Sequence, residues 1–268
     1  MSDKKNNYTT ISFRGGGFQF KNNYWISPTV FIVLLLLWHF GSTLGFISNL
    51  VLPKPTEVLI AFHDLYVTGD LYLHVGASLK RLILGWTLGT IIGIIIGFAI
   101  GLFALVRAGL APIVAAIFPI PKIALLPLFI IWFGIGELSK INLILFGTLF
   151  PTIIATYGAI DNVDRSLIRL GQSFNLSWFS ITRKIVFTAS LPAILSNMRI
   201  TAAIAIILIV AAELIAAEKG IGAYIQMAGS LFAIDRLLAG IIILSCMGLI
   251  ANWLIGLTER KLLKWRNL

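Results

Sequence analysis

Uninterrupted apolar runs, each long enough to cross a bilayer, constrain this chain more than any other feature of its sequence. A helix of about 20 residues spans the hydrocarbon, and about six runs of that length occur between residues 27 and 257. Hydrophobic residues make up 58% of the 268 residues and charged residues only 12%. This composition excludes a soluble domain of the same size. The sequence predicts an all-α polytopic membrane protein with about six transmembrane helices.

The predicted spans divide the chain into a membrane domain and two tails. We expect a cytoplasmic tail over residues 1–26, a transmembrane domain over 27–257 and a cytoplasmic tail over 258–268. Two further segments are predicted, an external loop with a surface helix over 52–81 and a turn over 134–140. The predicted spans are 27–46, 82–103, one that begins after Arg107, 141–160, 193–217 and 237–257.

A long polar segment, residues 161–190, interrupts the apolar second half of the chain. It carries Arg165, Arg169, Arg183 and Lys184. Basic loops between spans remain on the cytoplasmic side of a membrane. The other proposed inner segments also carry more Lys and Arg than the outer ones, so both chain ends are predicted to be cytoplasmic.

Apolar residues recur at helical spacing within this segment, at Leu167, Leu170, Phe174 and Trp178. Such spacing predicts a short amphipathic helix with one apolar stripe and one polar face. A surface helix between two spans offers a contact site for a partner protein on the cytoplasmic side.

The second predicted span has a glycine at every fourth position. Glycine is common in membrane helices, but five in register form a ridge that a neighbouring backbone can approach closely. We therefore expect a helix-packing role for Gly85, Gly89, Gly93, Gly97 and Gly101.

Prolines break the third predicted span at Pro119 and Pro121, next to Lys122. Backbone carbonyls freed at membrane depth must face protein or a wet cavity. Lys122 is therefore a candidate for the lining of a translocation pathway, together with the two prolines. The alternative is that its side chain extends to the membrane interface.

Two ionisable residues fall within the fifth predicted span, Arg199 near its start and Glu213 near its end. Ionisable groups inside spans are costly and face the bundle interior or water. Both are candidates for the translocation pathway, and Glu213 is alternatively an interfacial carboxylate close to the next loop.

Several classes of function are excluded by what the sequence lacks. The net charge of +10 is dispersed among loops, which does not favour nucleic acid as a partner. The single Cys246 and the absence of clustered His, Cys and Asp predict no metal site and no catalytic site. No Gly-x-x-x-x-Gly-Lys phosphate loop is present, so we expect no cofactor, ATP included, on this chain.

Several phrases, in order, resemble the permease subunits of ABC importers, and more narrowly the sulfonate, taurine and nitrate branch of the binding-protein-dependent permeases. The resemblance implies the type I importer permease fold. It also implies a pathway for a small anionic solute across the inner membrane of a prokaryote. The phrases are Leu52-Pro53-Lys54-Pro55, Pro119-Ile120-Pro121, the run over residues 125–137, and Ala211-Ala212-Glu213-Leu214-Ile215.

The family's cytoplasmic loop reads EAA, three residues, Gly, nine residues, Ile, one residue, Leu-Pro. In this chain Arg169, Leu170 and Gly171 fall at EAA, Asn175 at the glycine, and Phe187-Thr188 at the final pair, while Ile185 matches. The resemblance implies that this segment is the coupling helix. Its contacts with an ATP-binding subunit would then include Phe174 and Trp178.

The resemblance also implies a set of partners. These are two ATP-binding subunits that hydrolyse ATP, a second permease copy, an extracytoplasmic substrate-binding protein and membrane lipid. The departures from the motif leave open a homodimer or a heterodimer with a more typical permease. The alternative function is an ATP-independent channel or secondary transporter. Such carriers show inverted repeats with paired broken helices, whereas only one broken span is recognisable here.

Overall fold

The computed structural model describes residues 25–267, which are helical apart from short connections and contain no strand within that range. The predicted tail over 1–26 lies almost entirely outside the described residues. The helices are α1 (Ile26–Thr43), α2 (Pro55–Val67), α3 (Asp70–Leu102), α4 (Ala104–Ile117), α5 (Leu126–Phe133), α6 (Glu137–Asp161), α7 (Arg165–Ser173), α8 (Trp178–Ile181), α9 (Phe187–Ala216), α10 (Ile221–Ser230) and α11 (Ile234–Leu262).

The chain divides into two units, residues 1–55 and 56–268. In the first unit, α1 is apolar around its whole circumference. The segment after it folds back on its last turns, because the indole of Trp38 donates to the carbonyl of Pro53 at 2.9 Å and Ser42 donates to that of Leu52 at 2.9 Å. The described part of this unit therefore consists of one apolar helix and a closed turn.

In the second unit, α6 is the central helix, with α3 and α9 packed along it. The glycine ridge of α3 lies against α6 at regular intervals. A methyl group added at Gly85 would lie 2.7 Å from Cβ of Ile144, and one at Gly97 would lie 2.5 Å from Cβ of Thr156. Only a hydrogen atom fits at these positions, so the ridge sets the distance between the two helices.

Two threonines on the α6 side of this seam are satisfied within the helix. The hydroxyl of Thr152 donates to the carbonyl of Thr148 at 2.7 Å, and that of Thr148 donates to Ile144 at 3.0 Å. Threonine can therefore be buried at membrane depth without an unpaired donor at these two positions.

Five described helices are long and apolar enough to cross a membrane, and the bent pair α4 and Lys122–Phe133 would make a sixth. The prediction of an all-α fold with about six spans is confirmed. Several predicted boundaries are wrong. α3 begins at Asp70, so it contains residues 70–81 of the predicted external loop, and α6 begins at Glu137 inside the predicted turn. α11 exceeds the predicted 237–257 at both ends, and the polar stretch before it contains α10.

The segment over 161–190 also differs from its prediction. Helix resumes at Trp178 and continues without interruption to Ala216, through a π-helical turn at Thr182–Val186. The fifth span therefore begins well before the predicted 193. Arg183 and Lys184 lie on this continuous helix and not in a loop.

Candidate functional site

α7 is a short helix with a defined start. The carboxylate of Asp164 accepts a hydrogen bond from the backbone N–H of Ser166 at 2.8 Å and caps the first turn. Hydrogen bonds from the Ser166 backbone, and then from its side chain, hold the pKa of Asp164 below its ordinary value. The cap fixes the residue at which α7 begins after the end of α6.

The end of α7 is set by Asn175, whose φ of 54° lies in the left-handed region. Asparagine tolerates this conformation better than other non-glycine residues do. Ser177 then caps α8, accepting from the N–H of Ser180 at 3.3 Å. The predicted single stripe through Phe174 and Trp178 is therefore wrong, since these residues lie beyond the helix end.

α7 is anchored by one face to the end of the bundle where α6 ends and the helix leading into α9 begins. Ile168 packs against a buried cluster that unites the ends of three spans, with Ile160 from α6 and Val186 from the helix that leads into α9. A methyl group at Gly171 would lie 2.8 Å from Cδ1 of Ile185, so the Ile185 side chain packs directly against the α7 backbone here. α7 lies across the ends of the spans and not beside them.

The rest of α7 is exposed. At 100° per residue, Arg165 and Arg169 form one edge of the outward face, and Leu167 and Leu170 form the other. Leu170 is 54% exposed. Beyond the helix end, Phe174, Trp178 and Phe179 are also exposed, at 72%, 57% and 65%. We call this surface, residues 165–179, the docking surface.

A groove of about 360 Å³ borders the apolar edge of the docking surface. It is lined by Leu167, Leu170 and Phe174 on one side, and by Lys184 and Trp265 on the other. The last described turn of the chain therefore contributes an aromatic ring to the same groove.

The predicted break of the third span is a bend of 91° between α4 and the Lys122–Phe133 segment. Pro119 and Pro121 are exposed at this bend. A short 3₁₀ turn, Lys122–Leu125, leads from the bend into α5. The prolines end α4 because neither can donate a backbone hydrogen bond.

Lys122 satisfies the carbonyls that the break sets free. Its Nζ donates to the carbonyl oxygens of Ile117, Phe118 and Ile120 at 3.1, 2.6 and 2.8 Å. An ammonium group has three donors, and all three are used here. The Nζ also lies 5.5 Å from the ring centroid of Phe150. In this structure the lysine holds the bend together.

Glu213 lies in a buried charge cluster at the opposite end of the bundle from α7. Its side chain has no exposed surface. Its carboxylate accepts hydrogen bonds from the hydroxyl of Ser78 at 2.8 Å, from Nη1 of Arg81 at 2.7 Å and from the N–H of Gly222 at 2.9 Å. The carboxylate thereby ties α9 to α3 and to the start of α10.

Arg81 is the centre of this cluster. Its Nε and Nη2 donate to the two carboxylate oxygens of Glu137 at 2.8 and 2.5 Å, and Nη1 also donates to the carbonyl of Lys219 at 2.6 Å. A two-pronged guanidinium–carboxylate pair fixes direction as well as distance. Arg81 therefore joins the start of α6 to α3 and α9.

The loop after α9 closes over the cluster. The N–H of Ile221 donates to the hydroxyl of Ser78 at 2.9 Å, and Nδ1 of His74 lies 2.9 Å from the carbonyl oxygen of Gly220. A methyl group at Gly220, where φ is 134°, would lie 2.5 Å from Oε1 of Glu213. Glycine is therefore needed here both for backbone conformation and for space.

Arg199 lies apart from both Lys122 and the charge cluster, and it pairs with Glu259 of α11. It borders a groove of about 460 Å³ between α9 and α11, which also includes Ser245 and Asn252. Arg199 and Glu213 are roughly 21 Å apart along α9. The structure therefore does not bring Lys122, Arg199 and Glu213 together.

Sequence reasoning did not find Ser78, Arg81 or Glu137 as part of a site. Arg81 had been placed in an external loop, and Glu137 in a turn. A signal was available, because a carboxylate such as Glu213 inside a span requires a nearby positive charge.

The apolar spans, the single broken span and a helix laid across the ends of three spans define a multispan membrane transport protein. A solved chain of the MetNI methionine ABC transporter has the same fold, with a TM-score of 0.61 at 18% identity over 70% of this chain and 94% of that one.

The chain belongs to the family described as binding-protein-dependent transport system inner membrane component, which it matches over residues 89–264. It is 36% identical to a Bacillus subtilis protein described as the aliphatic sulfonates transport permease SsuC, over 88% of this chain and 85% of that one. It is 37% identical to the Escherichia coli taurine transport system permease TauC, over 88% and 87% respectively. The chain is a permease subunit of an ABC importer.

Proposed function

We propose that this permease carries a small organic sulfonate, delivered by an extracytoplasmic binding protein. The observation that carries the proposal is the sequence identity of 36% and 37% to permeases described for aliphatic sulfonates and taurine, over nearly nine-tenths of the chain. Both solutes contain a sulfonate group, which stays negatively charged at any physiological pH.

We further propose that ATP is hydrolysed on two separate ATP-binding subunits, and that the docking surface is where one of them binds. The sequence has no phosphate loop of its own. The proposal is supported by exposed aromatic side chains at Phe174 and Trp178, which follow the helix that crosses the span ends, because such surfaces favour protein contact. The assembly includes a second permease copy, either identical or of another sequence.

The continuous helix from Trp178 to Ala216 supports a mechanism for coupling. It has 39 residues and so extends about 58 Å, from the docking surface to the buried charge cluster. A displacement of the docking surface would be carried along this helix to the far end of the bundle. ATP binding would act by favouring one of two arrangements of the bundle.

The groove beside Arg199 is the part of the pathway that we propose first contacts the anion from within the membrane. Ser245 and Asn252 are exposed there within α11, and polar side chains are unfavourable against lipid. The groove would therefore face water or the second permease copy. In this proposal the termini lie in the cytoplasm, as the distribution of Lys and Arg predicts.

Reconstituted transport tests the function. The full chain, with the ATP-binding subunit and binding protein from its host, is placed in proteoliposomes, and uptake of labelled taurine is measured. Unlabelled alkanesulfonate should compete, and β-alanine, which replaces the sulfonate with a carboxylate, should not. Uptake at full rate without ATP would contradict the proposal, and equal competition by β-alanine would contradict the sulfonate assignment.

A further inference from the structure

The docking surface has an unusual charge. α7 carries two arginines on its outward face and no acidic residue between Arg165 and Ser173. Within the described residues, neither Arg165 nor Arg169 takes part in an ion pair, although Arg107 and Arg199 each have a carboxylate partner. The two arginines are available to a binding partner.

The two arginines occur at a spacing of four residues, so they lie one helical turn apart on the same edge of α7. Leu167 and Leu170 form the opposite edge. A partner that covers the outward face must therefore meet a positive edge and an apolar edge at the same time. Lys184 adds a third positive charge across the neighbouring groove.

The position of α7 favours a soluble protein over the lipid surface as this partner. An amphipathic helix that binds lipid lies in the membrane plane with its apolar face turned inward. In α7 the inward face is already occupied, because Ile168 and Gly171 pack on the ends of α3, α6 and the helix leading into α9. The outward face consequently points away from the membrane.

We propose that the partner's groove is acidic, with carboxylates that pair with Arg165 and Arg169 while apolar side chains cover Leu170 and Phe174. This inference rests on the proposed function, since the partner is the ATP-binding subunit. It adds a rule of recognition: an ATP-binding subunit with a neutral or basic groove would be rejected, because charge complementarity selects between partners of similar shape.

Binding to the full-length permease in nanodiscs tests the inference. The ATP-binding subunit that co-purifies from the host is titrated against wild type, R165E/R169E and R165K/R169K in phosphatidylcholine and in phosphatidylglycerol discs. The matched control is K219E/R236E, which makes the same change in net charge at the other end of the bundle. We expect Kd to rise at least about tenfold for R165E/R169E in both lipids, and to stay near wild type for the lysine variant and the control.

Two further measurements sharpen the test. Wild-type binding should weaken as salt is raised, and binding of R165E/R169E should not, because only the wild type forms opposite-charge pairs. Replacing groove carboxylates of the ATP-binding subunit with lysine should restore binding to R165E/R169E.

The outcomes separate this inference from the proposed function. If R165E/R169E binds like wild type while L170D/F174D does not, docking is apolar, the inference is refuted and the proposed function stands. A loss of binding confined to phosphatidylglycerol discs would mean that the arginines contact lipid headgroups, which also refutes it. If all of these variants bind like wild type, α7 is not the docking site and that part of the proposed function fails.

Discussion

Removal of the Glu213 carboxylate should destabilise the bundle strongly. Glu213→Ala leaves the N–H of Gly222 without its acceptor and removes one of the carboxylate partners of Arg81. Loss of one member of a buried ion pair costs about 3–5 kcal/mol. Arg81 keeps its two-pronged contact with Glu137 and its bond to Lys219, so we expect the lower end, about 3 kcal/mol.

The pairing explanation makes a second, less intuitive prediction. In the double variant R81M/E213L neither Arg81 nor Glu213 leaves the other as an unpaired buried charge, and Glu137 is 47% exposed and can be solvated. The double variant should therefore be destabilised less than the sum of R81M and E213L, by at least about 1 kcal/mol.

Both predictions can be checked by denaturant unfolding of the purified chain in detergent, with Ser78→Ala as a reference. That variant removes one hydroxyl donor to Glu213 and one acceptor for Ile221, and should cost about 1–2 kcal/mol. An E213A chain within about 0.5 kcal/mol of wild type, or strictly additive effects of R81M and E213L, would refute the reasoning.

Three further predictions concern other parts of the fold. Gly97→Ala should lower the free energy of unfolding by about 1–3 kcal/mol, because the added methyl group overpacks against Thr156. Gly76→Ala in the same helix, where nothing lies within 4 Å, should not destabilise the bundle, and the unfolding midpoints of the two variants test this difference. Asn175→Val should lower the free energy of unfolding by about 1–3 kcal/mol in the same assay, and Asn175→Gly should change it little, because φ at this position is left-handed. Equal stability of the two variants would contradict a left-handed φ here. Lys122→Met should cost about 2 kcal/mol or more and increase proteolysis near the bend; wild-type protease resistance would contradict its role there.

The sequence was sufficient to predict an all-α fold with about six spans, because apolar runs of span length have few alternative folds. It was not sufficient for the helix starts near the charge cluster. Arg81 and Glu137 look like loop residues in isolation, but both lie in helices and pair across the bundle. The burial of Arg81 depends on carboxylate partners distant in sequence, Glu137 and Glu213, which periodicity cannot detect.

For the docking surface, the sequence predicted the presence of a helix but not the residue at which it ends. The spacing of Leu167 and Leu170 indicated a helix, and that helix exists as α7. Its end could not be read from the apolar pattern, which continues through Phe174 and Trp178. The left-handed conformation of Asn175 ends the helix there, and asparagine was the only local indication of that turn.

The glycine ridge identified one side of a seam but not the other. Its partner positions on α6 also recur at every fourth residue, from Ile144 through Thr152 to Ile160. Two matched four-residue repeats fit together nearly as well after a slip of one helical turn, so the seam by itself cannot select its own alignment. The contact between Arg81 and Glu137 occurs once, at one end, and it is the non-repeating feature that selects the observed alignment over the shifted one.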